Sequence, residues 1–250
     1  MTALQTAAYA GPGLNRIRCH GTGAAHSLEA RFACDRKTRM DAFALRHASY
    51  LADGHIDPAP DGLFSDSFDD APNSQTVVVY KAEQAIASVR ACILESGNHA
   101  DGSIQIPAES VFQDEIANLL SGQPLGGDIR RALEINRLVR HPDFSSEPSL
   151  VCVLFLLVDH MVVKNEADVV LSCVRPHHVP FYRRMGFEQI AGPRRYHGVK
   201  FAACLLACSR PSYNRMRQVA NLPPRDSLLD PIQQHFGRGE PASALAGLAQ

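Results

Sequence analysis

In the first half of the chain, the pattern of apolar residues is typical of a helix first and of two strands afterwards. Apolar residues recur at helical spacing over 37–51, which predicts an amphipathic helix. The β-branched and aromatic residues of 75–81 predict a strand. The pair Ala82-Glu83 then predicts a tight turn, and 85–94 predicts the partner strand of a hairpin.

The second half continues with alternating helices and strands. Ser145 to Pro148 form a helix-start signal, and the helix they predict runs to about Glu166. It is apolar on nearly every face, so we expect it to be buried against a sheet. The other predicted elements are a helix over 108–120, strands over 132–140 and 168–174, a short helix over 179–185 that ends at Gly186, and a final strand over 199–208. This order predicts a mixed α/β sheet with helices on its faces.

The two ends of the chain differ in composition from the middle. Residues 1–30 are rich in Ala, Gly and Thr without a clear period, which indicates a flexible leader. Residues 210–250 carry repeated prolines and indicate a peripheral tail, with a short helix around 213–219. One domain over 31–209 is therefore expected.

Composition excludes several classes of protein. The net charge of -1 gives no reason to expect a nucleic-acid partner. Seven cysteines without a C-x-x-C pair argue against a disulfide framework and against a metal site. No secretory signal is visible, and the longest apolar run, 150–158, is too short to span a membrane. We expect a reduced, cytoplasmic protein that could still touch a membrane peripherally.

The most specific motif is Pro180-Phe181-Tyr182-Arg183-Arg184-Met185-Gly186-Phe187. Gly186 can adopt the left-handed conformation that ends a helix. The motif resembles the closing motif of GNAT acyltransferases, in which a tyrosine lies four residues before the glycine of a Gly-Phe pair. By that resemblance Tyr182 would protonate a departing thiolate. The alternative is that Tyr182 only packs under the helix.

A second candidate is the segment Glu134-Ile135-Asn136-Arg137 in the predicted strand 132–140. Residues three apart in a regular strand point to opposite faces, so Glu134 and Arg137 could not share a site. A β-bulge near Asn136 to Val139 would re-aim one side chain. It would also free a backbone N–H to hold a thioester oxygen. The alternative is a surface salt bridge.

The third candidate is a set of charges distant from one another in sequence. Asp66 and Asp69 lie in a loop, and Arg46 lies on the first predicted helix. Arg90 lies mid-strand between apolar neighbours, where a charge usually requires a partner. Each feature alone is also compatible with a solvated surface.

Together these residues resemble the acyl-homoserine lactone synthases and their relatives, the bacterial N-acyl amino acid synthases. Arg46 with Tyr50, the Asp-x-x-Asp pair, Arg90 and the Glu-x-x-Arg segment come in the same order, over about 37–208. The resemblance implies a GNAT-like, mostly antiparallel sheet and an acyl-acyl carrier protein (or acyl-CoA) as donor, with no permanently bound cofactor. It implies that Glu134 is the base or amine-positioning group, that Arg137 and Arg90 orient structure or substrate, and that Asp66 and Asp69 order the acceptor region.

Two differences from these families narrow the expected donor and the expected acceptor. The Gly-rich pyrophosphate loop of GNAT enzymes is replaced by His141 to Ser145, so fewer backbone N–H groups can approach a pyrophosphate. This favours a carrier-protein donor. The chain has no Trp, and Phe64 stands where the acidic loop of lactone synthases usually has its first carboxylate. These differences favour an amino acid acceptor over S-adenosylmethionine.

The expected function is transfer of a fatty acyl group from acyl carrier protein to the amine of an amino acid. An acidic carrier protein would dock on an arginine-rich side, since 129–200 holds eleven Lys/Arg against seven Asp/Glu. The candidate docking residues are Arg183, Arg184, Arg194 and Arg195. Three alternatives stay open: a lactone-type autoinducer synthase, an acetyl-CoA-dependent N-acetyltransferase, and a non-catalytic acyl- or carrier-binding module.

Overall fold

A computed structural model describes residues 28–97, 104–122, 125, 129–196 and 198–219. The strands are β1 (Leu28–Phe32), β2 (Ser74–Lys81), β3 (Gln84–Glu95), β4 (Arg131–Arg140), β5 (Val169–Val174), β6 (Glu188–Arg195) and β7 (Ala202–Ser209). The helices are α1 (Arg36–Ala52), α2 (Glu109–Leu120), α3 (Pro148–Lys164), α4 (Val179–Arg184) and α5 (Arg210–Val219).

The strands form one seven-stranded sheet in the order β1-β2-β3-β4-β5-β7-β6. Every neighbouring pair is antiparallel except β4–β5. A parallel pair requires a crossover connection, and here α3 supplies it. The expected mixed, mostly antiparallel sheet flanked by helices is confirmed.

The parallel pair is short, and this opens the sheet. The β4–β5 ladder contains only three residue pairs, from Ala132–Val169 to Glu134–Leu171. Beyond Glu134 the two strands are no longer paired. The backbone of β4 after this point therefore faces a cleft instead of a neighbouring strand.

Apolar side chains cover both faces of the sheet. On one face Leu150, Leu154 and Met161 of α3 are fully buried, as expected for a helix that is apolar on nearly every side. On the other face Phe112 and Ile116 of α2 pack over the sheet and are also buried. The sheet is thus the middle layer of three.

The β2–β3 hairpin follows the sequence prediction. Ala82 and Glu83 both adopt positive φ, 47° and 66°, which is the geometry of a two-residue turn matched to strand twist. Tyr80 on β2 is buried, and its hydroxyl donates to Asp41 of α1 at 2.8 Å. The hairpin and α1 are therefore fixed to each other.

Three elements differ from the sequence expectation. β1 includes the last residues of the predicted leader and pairs with β2, while residues 1–27 and 220–250 lie outside the described part. α5, at the start of the predicted tail, is packed on α3: Tyr213 and Arg217 are buried and donate to Asp159 at 3.1 and 2.6 Å. The folded unit therefore extends to Val219. The last strand begins at Ala202 instead of Val199 because Gly198 and its neighbours form a turn.

Candidate active site

A β-bulge interrupts β4 at the expected place. Ser88 pairs with Val139 and Arg90 with Asn136, so two residues of β4 oppose Val89 alone. One of the two, Arg137, has a φ of +51°, in the left-handed region that a non-glycine residue rarely occupies. The predicted bulge over 136–139 is confirmed. It re-aims the Arg137 side chain toward the face of the sheet that carries Arg90 and Glu134.

On that face, Arg46, Asp66, Asp69, Arg90 and Arg137 form what we call the ionic network. Arg90 Nη1 lies 2.6 Å from Asp66 Oδ1 and 2.8 Å from Asp69 Oδ1. Arg46 Nη1 lies 2.6 Å from the same Asp69 oxygen, and Arg137 Nη2 lies 2.6 Å from Asp66 Oδ2. Arg90 also donates to Asn136 Oδ1 at 2.8 Å. The residues selected from sequence are thus brought together.

The spacing of the two aspartates explains why they point the same way. Residues Ser67–Asp69 form one turn of 3-10 helix. The Asp66 side chain accepts from Phe68 N at 3.0 Å, and Asp69 Oδ2 accepts from Asp66 N at 2.9 Å. This reciprocal capping box fixes both carboxylates. Asp69 keeps Oδ1 for the arginines, and Asp66 accepts from them through both oxygens.

In the ionic network, burial and the neighbouring charges shift the pKa values of the side chains in opposite directions. Burial alone would raise the pKa of Asp66, but hydrogen bonds and charges from Arg90 and Arg137 hold it well below its usual range. The pKa of Arg90 rises above its usual value, since its pairing with the aspartates outweighs desolvation. Asp66 and Arg90 are therefore ionised at neutral pH.

Glu134 is fully buried beneath the network. Its Oε2 accepts from the Ala108 N–H at 2.9 Å, and its Oε1 accepts from the Tyr196 hydroxyl at 3.2 Å. Desolvation raises the pKa of Glu134 above its ordinary value. A carboxylate with a raised pKa is a stronger base than one in water.

A cavity of about 410 Å³ occupies the opening between β4 and β5, and we call it the β4 cleft. The bulge forms one wall, from Ile135 to Arg140, and Tyr182 of α4 lies on another. Burial raises the pKa of Tyr182, and a hydrogen bond with Ser172 partly opposes this. Ser172 Oγ in turn donates to Ile135 O at 3.1 Å. Tyr182 is therefore a neutral proton donor that faces the cleft.

A second cavity, of about 640 Å³, lies beside the loops that follow α1 and β6. Its walls include Phe64, Arg195, Tyr196 and Lys200. Tyr196 connects this cavity to the buried Glu134, because it lines the cavity wall while its hydroxyl donates to Glu134. His55 lines both the second cavity and the β4 cleft.

The four arginines expected to bind a carrier protein have different surroundings. Arg183 and Arg184 are exposed on α4, and Arg183 donates to Gln189 at 3.3 Å. Arg194 is paired with Glu115 of α2 and lies over the Phe112 ring. Arg195 lines the second cavity. The charge of Arg194 is therefore already compensated.

Sequence reasoning missed three residues of this region: Tyr196, His55 and Arg175. Tyr196 contacts Glu134 across 62 positions, and Arg175 contacts His55 across 120. None of them lies in a local sequence motif. Each follows a helix or strand, and nothing in the residue pattern of that helix or strand indicates a functional role for it. Only the folded chain brings them together.

The structure was also searched for metal-binding clusters and membrane spans. Among the described residues, no group of three or more His, Cys, Asp or Glu is placed to hold a metal ion. No helix within the same ranges is long and apolar enough to cross a membrane.

Comparison with known families and structures decides the assignment. A family model described as N-acyl amino acid synthase FeeM matches residues 41–209. The chain belongs to this family. The match runs from within α1 to the end of β7 and includes the ionic network, the bulge and Tyr182. No curated protein sequence matches the chain.

Solved structures agree with the family assignment at the level of the fold. FeeM, an N-acyl amino acid synthase from uncultured soil microbes, is 21% identical with a TM-score of 0.61, covering 79% of this chain and 98% of its own. BjaI, described as a CoA-dependent acyl-homoserine lactone synthase, is 15% identical with a TM-score of 0.52, covering 80% and 92%. An acyl-CoA N-acyltransferase from Pseudomonas aeruginosa is 14% identical with a TM-score of 0.50, covering 73% and 100%. This FeeM-family chain is an acyltransferase with a GNAT-like fold, as expected from the sequence.

Proposed function

We propose that the chain transfers a fatty acyl group from an acyl carrier protein thioester to the amine of an amino acid. One observation carries the proposal: the bulge in β4 lines a cleft that also contains a neutral tyrosine, Tyr182. A thioester carbonyl and its sulfur both require a hydrogen-bond donor as charge develops on them. The bulge backbone and the phenol supply these two donors.

In the proposed reaction the free amine attacks the thioester carbonyl carbon. A C–N bond forms, a C–S bond breaks, and a backbone N–H between Asn136 and Val139 holds the carbonyl oxygen while it is negative. Tyr182 gives its proton to the departing thiolate. The proton that the amine loses passes through the Tyr196 hydroxyl to Glu134, which is buried and contacts Tyr196. Proton exchange with water then returns Glu134 to the carboxylate and Tyr182 to the phenol.

The ionic network stabilises the residues that form this site. Arg137 lies within about 4.8 Å of the Phe64 ring and 5.8 Å of the Tyr50 ring, so it also fixes the aromatic wall between the two cavities. Arg90 holds Asn136, the paired residue directly before the bulge. We assign Arg46, Asp66, Asp69 and Arg90 to positioning the bulge, and Arg137 to positioning both the bulge and the acceptor.

The turn between β4 and α3 supports a carrier protein as the donor. Pro142 has no N–H, and the N–H groups of Asp143, Phe144 and Ser145 all bond within the turn. A pyrophosphate would find few free donors there. The prosthetic group of a carrier protein has a single phosphate and does not require such a loop.

Docking of an acidic carrier protein is assigned to the exposed arginines of α4. Arg183 and Arg184 follow Tyr182 directly, so a partner bound there would deliver its thioester to the cleft. We expect Arg184→Glu to raise KM for acyl carrier protein about tenfold at low salt and to leave KM for acyl-CoA unchanged. An equal effect on both donors would contradict docking at this helix.

The experiment that tests the proposed function uses purified protein, the free amino acids, and dodecanoyl thioesters of acyl carrier protein and of coenzyme A. We expect amide formation with the carrier donor at the higher kcat/KM. Glu134→Gln and Tyr182→Phe should each lower kcat about 10²- to 10⁴-fold. Retention of full turnover in both variants would show that the assigned roles are wrong, and preference for coenzyme A would show that the donor is wrong.

A further inference from the structure

Arg175 is a half-buried cation at the end of β5, and it lines the β4 cleft. Its Nη1 lies 2.5 Å from His55 Nε2, and its Nη2 lies 3.4 Å from His178 Nε2. The guanidinium also stands 5.9 Å from the centre of the Phe201 ring. We call Arg175, His55 and His178 the Arg175 cluster.

The cluster lacks negative charge in direct contact with the guanidinium. Among the described residues no carboxylate lies within 4.0 Å of it, and Asp53 reaches only His55, at 3.7 Å. Burial, followed by the charge of Arg175, lowers the pKa of both imidazoles, that of His178 to about 3. Both histidines are therefore neutral at pH 7 and do not compensate the arginine.

Partial burial of an arginine without a carboxylate partner is unfavourable, and such a cation usually pairs with an anion. Imidazole nitrogens can hold the guanidinium in one orientation, but they leave its charge unsatisfied. Since a cleft lies against it, an incoming anion can supply the missing partner. An arginine fork binds a carboxylate through two parallel hydrogen bonds.

The position of the cluster indicates which anion this is. His55 lines both cavities, and its ring packs on Phe201 at 5.0 Å between centroids. The cluster thus lies where the second cavity meets the β4 cleft. The turn at His141 to Ser145, which stands in place of a pyrophosphate loop, follows β4, whereas Arg175 follows β5 on the other side of the opening. An anion at Arg175 therefore comes with the acceptor.

We infer that Arg175 binds the α-carboxylate of the amino acid acceptor. This inference rests on the proposed function and deepens it, since it makes a free carboxylate a requirement for the acceptor. An α-amino acid separates its carboxylate from its amine by one carbon atom. A carboxylate held at Arg175 therefore places the amine inside the cleft, beside the bulge and Tyr182. The side chain is directed toward the second cavity, past Phe64 and Tyr196.

The test compares free amino acids with their primary amides, which lack the negative charge. Wild-type protein, Arg175→Gln and Arg184→Gln each receive dodecanoyl-acyl carrier protein with an equimolar mixture of the free L-amino acids, or of their amides. The N-acyl products are quantified by mass spectrometry. Because each variant is compared with the wild type on the same mixtures, the higher nucleophilicity of the amides cancels.

We expect Arg175→Gln to lower the acid-to-amide product ratio about 10- to 100-fold, which is the range for loss of a charged hydrogen bond. Arg184→Gln should leave the ratio unchanged, and Arg175→Lys should restore part of it. An unchanged ratio in Arg175→Gln overturns the inference, as does a rise in donor KM alone, which would place a donor phosphate at this arginine. If wild-type protein acylates neither mixture, the proposed function itself fails.

Discussion

Two regions that contain partly or fully buried arginine lie beside the bulge in β4, and they differ in their counterions. In the ionic network three arginines share Asp66 and Asp69 at 2.6 to 2.8 Å, and the side chains of these aspartates are 24% and 2% exposed. In the Arg175 cluster one arginine contacts two neutral imidazoles, and the nearest acidic residue, Asp53, touches His55 instead. Each arginine of the first region contacts a carboxylate without any ligand, whereas the arginine of the second region does not.

This difference separates residues that hold the fold from residues that meet a substrate. A buried, paired charge fixes geometry, and removing one partner leaves the other uncompensated. A cation that is held in place but unpaired contributes little to stability, because its charge is compensated only when an anion binds. The sequence does not distinguish the two regions, because both consist of arginines scattered among apolar residues.

The largest expected effect on stability is that of Asp69→Asn. Asp69 is 2% exposed at its side chain and accepts from both Arg46 and Arg90. Losing its charge leaves two buried guanidinium groups short of a partner, so we expect the free energy of unfolding to fall by about 3 to 5 kcal/mol. Urea denaturation followed by circular dichroism measures this. A loss below about 1 kcal/mol would contradict the structural role of the network.

Glu134 should give the protein a distinctive pH dependence. Its pKa is raised in the folded state by burial, so the folded protein binds a proton that the unfolded chain releases near 4.5. Stability is therefore full below that pH and is lost as pH rises through the folded pKa, by up to about 1.4 kcal/mol per pH unit. Glu134→Gln should remove this slope. Parallel slopes for the wild type and Glu134→Gln in urea denaturation at several pH values would show that Glu134 does not titrate in this way.

Arg175→Gln should affect stability less than any change in the ionic network. Since no carboxylate pairs with Arg175 among the described residues, its removal strands no buried charge. We expect a change in the free energy of unfolding within about 1 kcal/mol, by the same urea denaturation. A loss as large as that of Asp69→Asn would show that Arg175 holds the fold, as the ionic network does, and would contradict the contrast between the two regions.

The smallest effect is expected at Asp70, the matched control for Asp69. Asp70 is adjacent in sequence and pairs with Arg39 at 2.9 Å, but its side chain is 80% exposed. Exposed pairs contribute about 0.2 to 1 kcal/mol, so Asp70→Asn should lie at or below that range in the same denaturation series. A loss equal to that of Asp69→Asn would show that burial does not decide the difference.

Local sequence patterns predicted most of the fold. The hairpin at Ala82-Glu83, the buried helix α3 and the bulge in β4 all follow from periodicity or from the spacing of charges. β6 was given no bounds, because Glu188–Arg195 is largely exposed and contains Gly192-Pro193, which is atypical of a strand. β1 was assigned to the leader, since its five residues pair only with β2 and show no pattern of their own.

The candidate site was predictable only in part. The residues of the ionic network were expected from the need of Arg90 for a partner together with the resemblance to acyl-homoserine lactone synthases, whereas the capping box of Asp66 and Asp69 is seen only in the structure. The sequence could not identify Tyr196 and Arg175 as site residues. Their positions depend on where the β6–β7 loop and the end of β5 meet the loop after α1. Such contacts join distant parts of the chain and leave no periodic signal.

The most direct test of the central claim is mass spectrometry of lipid extracts from cells that express the protein. Cells that express Tyr182→Phe and cells with an empty vector serve as controls. We predict a series of fatty acyl groups in amide linkage to an amino acid, reduced in the Tyr182→Phe cells and absent from the empty-vector cells. Extracts identical to the empty-vector control would contradict the assignment of this chain as an N-acyl amino acid synthase.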